Sequence, residues 1–151
     1  MNARLDYATA APNGYKALGA VYATLLKSDL PKQLVDLVYL RVSQLNGCAF
    51  CMSTHSRDLL NSGVSIDKLV LLHGWRDAGA VFSTQECAAL AWAETVTRVA
   101  ETHIPNEHYE AAAAVFNSKD LADLTYAIGL MNVFNRLGVA FRTPPPAAAS
   151  M

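Results

Sequence analysis

From Asn13 to Gly138 the apolar residues of this chain recur at intervals of three and four. Nowhere do they alternate with polar residues between hairpin turns. That pattern restricts the chain to helix-on-helix packing, an all-α fold, and excludes a thioredoxin-type βαβ platform. The punctuation agrees. A first helix from about Gly14 to Leu26, capped near Asn13, presents Leu18, Val21, Tyr22 and Leu25. Asp29-Leu30-Pro31 opens a second, carrying Leu34, Val35, Leu37, Val38, Leu40 and Val42, that stops near Asn46-Gly47. A third runs from Cys48 to about Asn61, closed by Ser62-Gly63. Ser65 caps a short helix through Leu72, ended by His73-Gly74. Ser83-Thr84-Gln85-Glu86 reads as a capping box at the head of a long helix to about Glu101. Pro105 starts another through Ala114, and Ser118 caps the last, from Asp120 to about Gly138. Residues 1–143 are therefore expected to form one helical domain. Residues 144–151, rich in proline and alanine and without periodicity, are expected to be an extended or disordered tail.

At 151 residues the chain suffices for a single core. Only 17% of its residues are charged, below the usual figure of about 25%, which leaves apolar residues available for an association surface. A net charge of −1 with mixed signs gives no reason to expect a nucleic-acid partner. No run reaches the roughly 18 apolar residues of a membrane span. Met1 to Pro12 lacks the basic and apolar regions of a signal peptide, so a cytoplasmic location is expected.

The chemistry is concentrated in Asn46-Gly47-Cys48-Ala49-Phe50-Cys51-Met52-Ser53-Thr54-His55. A helix that begins at Cys48 puts Cys48, Cys51 and His55 on one face. Its free N–H groups and positive dipole end favour a thiolate there. A neighbouring thiol can then trap an oxidised sulfur as a disulfide while the imidazole moves the proton. In a reducing compartment such a pair is a cycling redox or metal site rather than a structural bridge.

Other readings compete. Covalent haem attachment fails because Met52, not histidine, follows Cys51. A structural zinc site on Cys48, Cys51 and His55 lacks a fourth ligand, since Cys87, His73, His103 and His108 stand singly. Both cysteines could also be small apolar core residues, the role that suits Cys87 on its apolar helix face.

Asp36-Leu37-Val38-Tyr39-Leu40-Arg41-Val42-Ser43-Gln44-Leu45-Asn46-Gly47-Cys48-Ala49-Phe50-Cys51 through His55 resembles the AhpD-like alkylhydroperoxidase family, part of the broader carboxymuconolactone decarboxylase group. Leu72-His73-Gly74-Trp75-Arg76-Asp77-Ala78, Phe82-Ser83 and Met131-Asn132-Val133-Phe134-Asn135-Arg136-Leu137 resemble it too. The resemblance implies an AhpD-like helical domain assembled as trimers or hexamers that reduces hydroperoxides through thiols, without cofactor or metal. It implies that Cys51 attacks the peroxide, Cys48 resolves it, and His55 relays the proton. An external dithiol protein would then reduce the disulfide.

Two positions depart from the family pattern. Asp36 stands where the family keeps a relay glutamate, twelve residues before the first cysteine, and Phe50 stands where the best-studied branch has histidine. The chain therefore resembles the small single-domain members rather than AhpD itself. A carboxylate at Asp36 is expected to raise the His55 pKa and hold the ring. Trp75-Arg76 reads as a loop or interface anchor, and Asn132, Asn135 and Arg136 as structural polar groups. Two rival functions are a lyase like the non-thiol branch of the group and a non-catalytic oligomeric binding protein on the same fold.

Overall fold

A computed structural model describes residues 3–146; part of the expected tail, residues 147–151, lies outside the described residues. Helices account for the architecture, with no strand among the described residues. In chain order they are α1 (Tyr7–Ala10), α2 (Pro12–Leu25), α3 (Lys32–Asn46), α4 (Ala49–Asn61), α5 (Ile66–Leu71), α6 (Thr84–Thr97), α7 (Val99–Thr102), α8 (Asn106–Ala113) and α9 (Ser118–Ala140). Pro144–Pro146 carry no regular structure.

The centre of the fold is α3. Every residue from Leu34 to Ser43 is buried, because α4, α6 and α9 all pack on this helix. Leu34, Val35, Val38, Tyr39 and Val42 join one cluster with Leu124, Ala127, Ile128 and Met131 of α9 and Ala89, Trp92 and Ala93 of α6. Leu37 and Leu40 face the other way, into a cluster with Leu59, Leu72, Trp75, Phe82 and Leu90. A helix apolar on most of its circumference is stable only when covered on most sides.

Several polar residues of α3 are buried with it, and Ser43, Arg41 and Asp36 find partners, whereas the buried Tyr39 hydroxyl has none. The Ser43 hydroxyl donates to the Tyr39 carbonyl at 2.7 Å and accepts from the Asn135 amide at 3.0 Å. The Asn46 side chain donates to Asn132 and Asn135, each at 3.0 Å. These bonds tie α3 to α9 and give the two asparagines the structural role expected of them. Arg41 meets Glu94 of α6, which also accepts from the Trp75 indole at 2.9 Å and pairs with Arg76. Trp75 and Arg76 are thus anchors within the chain.

Several boundaries differ from the sequence reading. The first helix starts at Pro12, and the short α1 precedes it, capped by the Asp6 carboxylate. The helix capped by Ser65 ends at Leu71, one residue short of the expected Leu72, and a 3-10 turn from Leu72 to Asp77 follows it, kinked at Gly74 as the sequence suggested. Ser83 and Glu86 form the capping box as read, yet α6 ends at Thr97; Arg98 breaks it before the separate turn of α7. Asn117, rather than Ser118, caps α9. Two of the other histidines meet side chains of the chain, His73 at 3.4 Å from Arg41 Nη1 and His108 at 2.9 Å from the Thr95 hydroxyl, and His103 is exposed.

Candidate functional site

Gly47 sets the geometry of the site. At φ 69° it adopts the left-handed conformation that closes α3, where a side chain would be strained. The Cys48 N–H then donates back to the Ser43 carbonyl at 3.0 Å, so α4 begins one residue after α3 is sealed. Cys48 is not the first helical residue but the N-cap. Its sulfur accepts the Cys51 N–H at 3.3 Å, the place an Asp or Ser oxygen usually takes. The two cysteines are joined as a disulfide with Cα atoms 5.4 Å apart. Cys87 is free, half-buried and packed against the second core cluster.

The two sulfurs face different surroundings. Behind them, Gly138 of α9 comes so close that a Cβ there would lie 3.0 Å from Cys48 Sγ and 3.8 Å from Cys51 Sγ. In front is a cleft of about 680 Å³ lined by Cys51 and His55, with Tyr15, Tyr22, Phe50 and Phe134 among its walls. Cys51 lines this cleft; Cys48 does not. A second cleft of about 630 Å³ between α6, α8 and α9, walled by Trp92, Tyr109 and Tyr126, contains neither a cysteine nor a histidine. Glycine in a helix interior costs about 1 kcal/mol against alanine, so its presence at 138 fits the need for room. Gly138→Val is expected to lower stability by about 1–3 kcal/mol through overpacking. Urea unfolding of the oxidised protein checks this; an unchanged midpoint would mean that α9 has slack at that point.

His55 follows Cys51 by one helical turn and is nine-tenths buried. Its ring lies 5.1 Å from that of Tyr39, which in turn stacks on Tyr22 at 6.4 Å. Asp36 is not a surface carboxylate. It is buried, paired with the exposed Lys32 one turn earlier, and its donor atom lies within 4.8 Å of those of His55 and Asp58. Asp58 was not singled out from the sequence, although its place three residues after His55 on one helix face was available as a signal. Its carboxylate lies 3.8 Å from His55 Nδ1, too far for a hydrogen bond, and Nδ1 has no partner.

Burial pushes the His55 pKa below its ordinary 6.5. Asp36 and Asp58 pull it upward, as expected of carboxylates, and Lys32 pulls it down; desolvation outweighs the carboxylates. The upward pull expected of Asp36 is present, and burial, which exceeds it, sets the net direction downward. The imidazole is neutral at neutral pH and able to accept a proton. Burial likewise pushes the Tyr39 phenol up, with Tyr22 and Asp36 adding to the effect, so it stays protonated. The structure thus sets Cys48 and Cys51 at the head of α4 and His55 one turn further along it, with Asp36 of α3 beside His55.

Known proteins agree with this fold. Residues 12–95 match the carboxymuconolactone decarboxylase family. YdfG of Bacillus subtilis, an uncharacterized protein, is 30% identical over 140 residues, covering 93% of this chain and 95% of its own. A crystal structure from Agrobacterium tumefaciens, of a protein of unknown function offered as a candidate AhpD antioxidant defence protein, is 35% identical with a TM-score of 0.93. That match covers 97% of this chain and all of the other. At 20% identity, an uncharacterized peroxidase-related protein from Ralstonia eutropha shares the fold with a TM-score of 0.81, over 93% of this chain and 74% of its own. The chain belongs to the carboxymuconolactone decarboxylase family and has its AhpD-like all-α fold.

Proposed function

We propose that the protein is a thiol-dependent peroxidase that reduces hydroperoxides through Cys51 and Cys48. The observation that carries this reading is the disulfide at the head of α4, with Cys51 and a neutral, buried His55 lining the same cleft. In the reduced protein His55 takes the Cys51 proton, and the thiolate attacks the terminal oxygen of a hydroperoxide. An S–O bond forms and the O–O bond breaks. The alkoxide leaves and takes a proton from the imidazolium, so the organic product is an alcohol. Cys48 then attacks the Cys51 sulfenic acid; the S–S bond forms and water leaves. Two electrons and two protons from an external dithiol restore both thiols.

Reduced protein treated with one equivalent of hydroperoxide should lose two thiols per chain. Mass mapping should locate them in a Cys48–Cys51 bridge, with Cys87 still free. A bridge through Cys87, or three surviving thiols, would reject the reading. Assembly as a homo-oligomer belongs to the same proposal. It is supported by the low charge content and by exposed Ile66, Val70, Tyr109 and Tyr126. Sedimentation as a clean monomer at micromolar concentration would remove it.

Asp36 is proposed to position and polarise His55. Asp36→Asn keeps the shape and removes the charge, so peroxide-driven disulfide formation should slow by about 10–100-fold. The sign of the pH effect separates this role from a structural one. Asp36 raises the His55 pKa, so its neutralisation should move the acid limb of the rate profile to lower pH. A folded Asp36→Asn protein with an unmoved limb and an unchanged rate would take Asp36 out of the mechanism.

A further inference from the structure

We propose that Asp36, His55 and Asp58 form a binding site for a divalent cation of the zinc class, beside the cysteine pair but independent of it. One donor atom from each lies within 4.8 Å of the other two. His55 Nδ1 is buried without a partner and has Asp58 Oδ2 3.8 Å away. That separation is too long for a hydrogen bond and close to the edge of a tetrahedral site, about 3.3 Å for metal–ligand bonds near 2.0–2.1 Å. A small inward movement of the Asp58 side chain would complete the contact. Asp58 is partly exposed and lines the same cleft as His55, which gives a cation its way in.

One imidazole and two carboxylates are a donor set suited to zinc and its neighbours rather than to calcium or magnesium, which take oxygen. The charge also fits. Two carboxylates converge on one neutral ring, and among the described residues Lys32 is the cation seen paired with Asp36, through a side chain that is 60% exposed. The cation would take the lone pair through which His55 serves as a base. On the thiol-peroxidase reading, occupancy therefore suppresses peroxide-driven oxidation while it lasts, and removal of the cation restores it. No bond to Cys48 or Cys51 is needed.

The test uses the disulfide form, without a histidine tag, so that neither cysteine of the pair can bind metal. Titration calorimetry with zinc chloride should give one ion per chain with a dissociation constant in the micromolar range. Asp58→Asn should weaken binding at least tenfold, and Lys32→Met should tighten it several-fold by removing the competing cation from Asp36. Cys87→Ser should bind as the parent does, and magnesium should bind far more weakly than zinc. Circular dichroism establishes that each variant is folded. Zinc binding that is absent, that survives Asp58→Asn, that is lost with Cys87, or that magnesium matches would overturn the site. No peroxide enters this measurement, so failure of the zinc site and failure of the peroxidase reading are told apart. A two-dimensional NMR spectrum showing the His55 ring signals unmoved by zinc would also overturn it.

Discussion

Cys51→Ser will lose peroxide-driven thiol oxidation by about 10³-fold or more, the scale on which removal of a reacting nucleophile acts. Cys48→Ser will still react once and stop at a sulfenic acid on Cys51. The two sulfurs compete for this role on different grounds. As the N-cap of α4, the Cys48 sulfur already accepts a backbone N–H and sits nearest the positive end of the helix, both of which favour a thiolate. Access favours the other. Cys48 is sealed by α9 at Gly138, whereas Cys51 lines the cleft that also holds His55. A peroxide must reach the sulfur before its pKa matters, so Cys51 should react first and Cys48 should resolve. Trapping with a dimedone-type reagent reads the outcome by mass. A sulfenic acid on Cys48 in Cys51→Ser, formed as fast as the one on Cys51 in Cys48→Ser, would assign attack to the N-cap sulfur. Loss of trapping in both variants would take the chemistry away from this pair.

Local rules made much of the fold legible. The Ser83–Glu86 capping box, Ser65, Gly47 and the three- and four-residue apolar intervals all mark features that short stretches of chain determine. The cysteine pair and His55 were legible for the same reason, since one helix and its N-cap carry them. Asp36 required the family resemblance, because its burial depends on α3 being covered on several sides at once. Gly138 could not have been found from the sequence: its distance to Cys48 joins residues 90 apart in the chain. The net direction of the His55 pKa lay out of reach on similar grounds. A nearby carboxylate can be guessed from spacing, but the desolvation that outweighs it is a property of packing. The break at Arg98 escaped because apolar periodicity runs on through Val96 and Val99 while the backbone turns.

Removal of Glu94 should be among the most damaging single changes in the protein. Its carboxylate accepts from Arg41 Nε at 2.8 Å and from the Trp75 indole at 2.9 Å, and pairs with Arg76. Arg76 also lies over the Trp75 ring at 4.3 Å. Glu94 therefore joins α6, α3 and the 3-10 turn at residues 72–77. Glu94→Gln keeps the shape but leaves the buried Arg41 guanidinium without its counterion, a loss of about 3–5 kcal/mol. For a chain of this size that corresponds to a Tm lower by roughly 6–20 °C. The pH dependence supplies a second reading. Burial would push the Glu94 carboxyl up, but the donors from Trp75, Arg76 and Arg41 outweigh it and hold the pKa below 4.5. A lowered carboxylate pKa contributes stability that is present above the unfolded value and lost as pH falls through the folded one. The parent should therefore lose this contribution in acid below about pH 4.5, while Glu94→Gln should lack that part of the acid dependence. A variant that unfolds within about 1 kcal/mol of the parent, with the same acid profile, would show that the network is replaceable by the polar shape alone. A large loss with the acid slope removed would place the stabilisation in the charge.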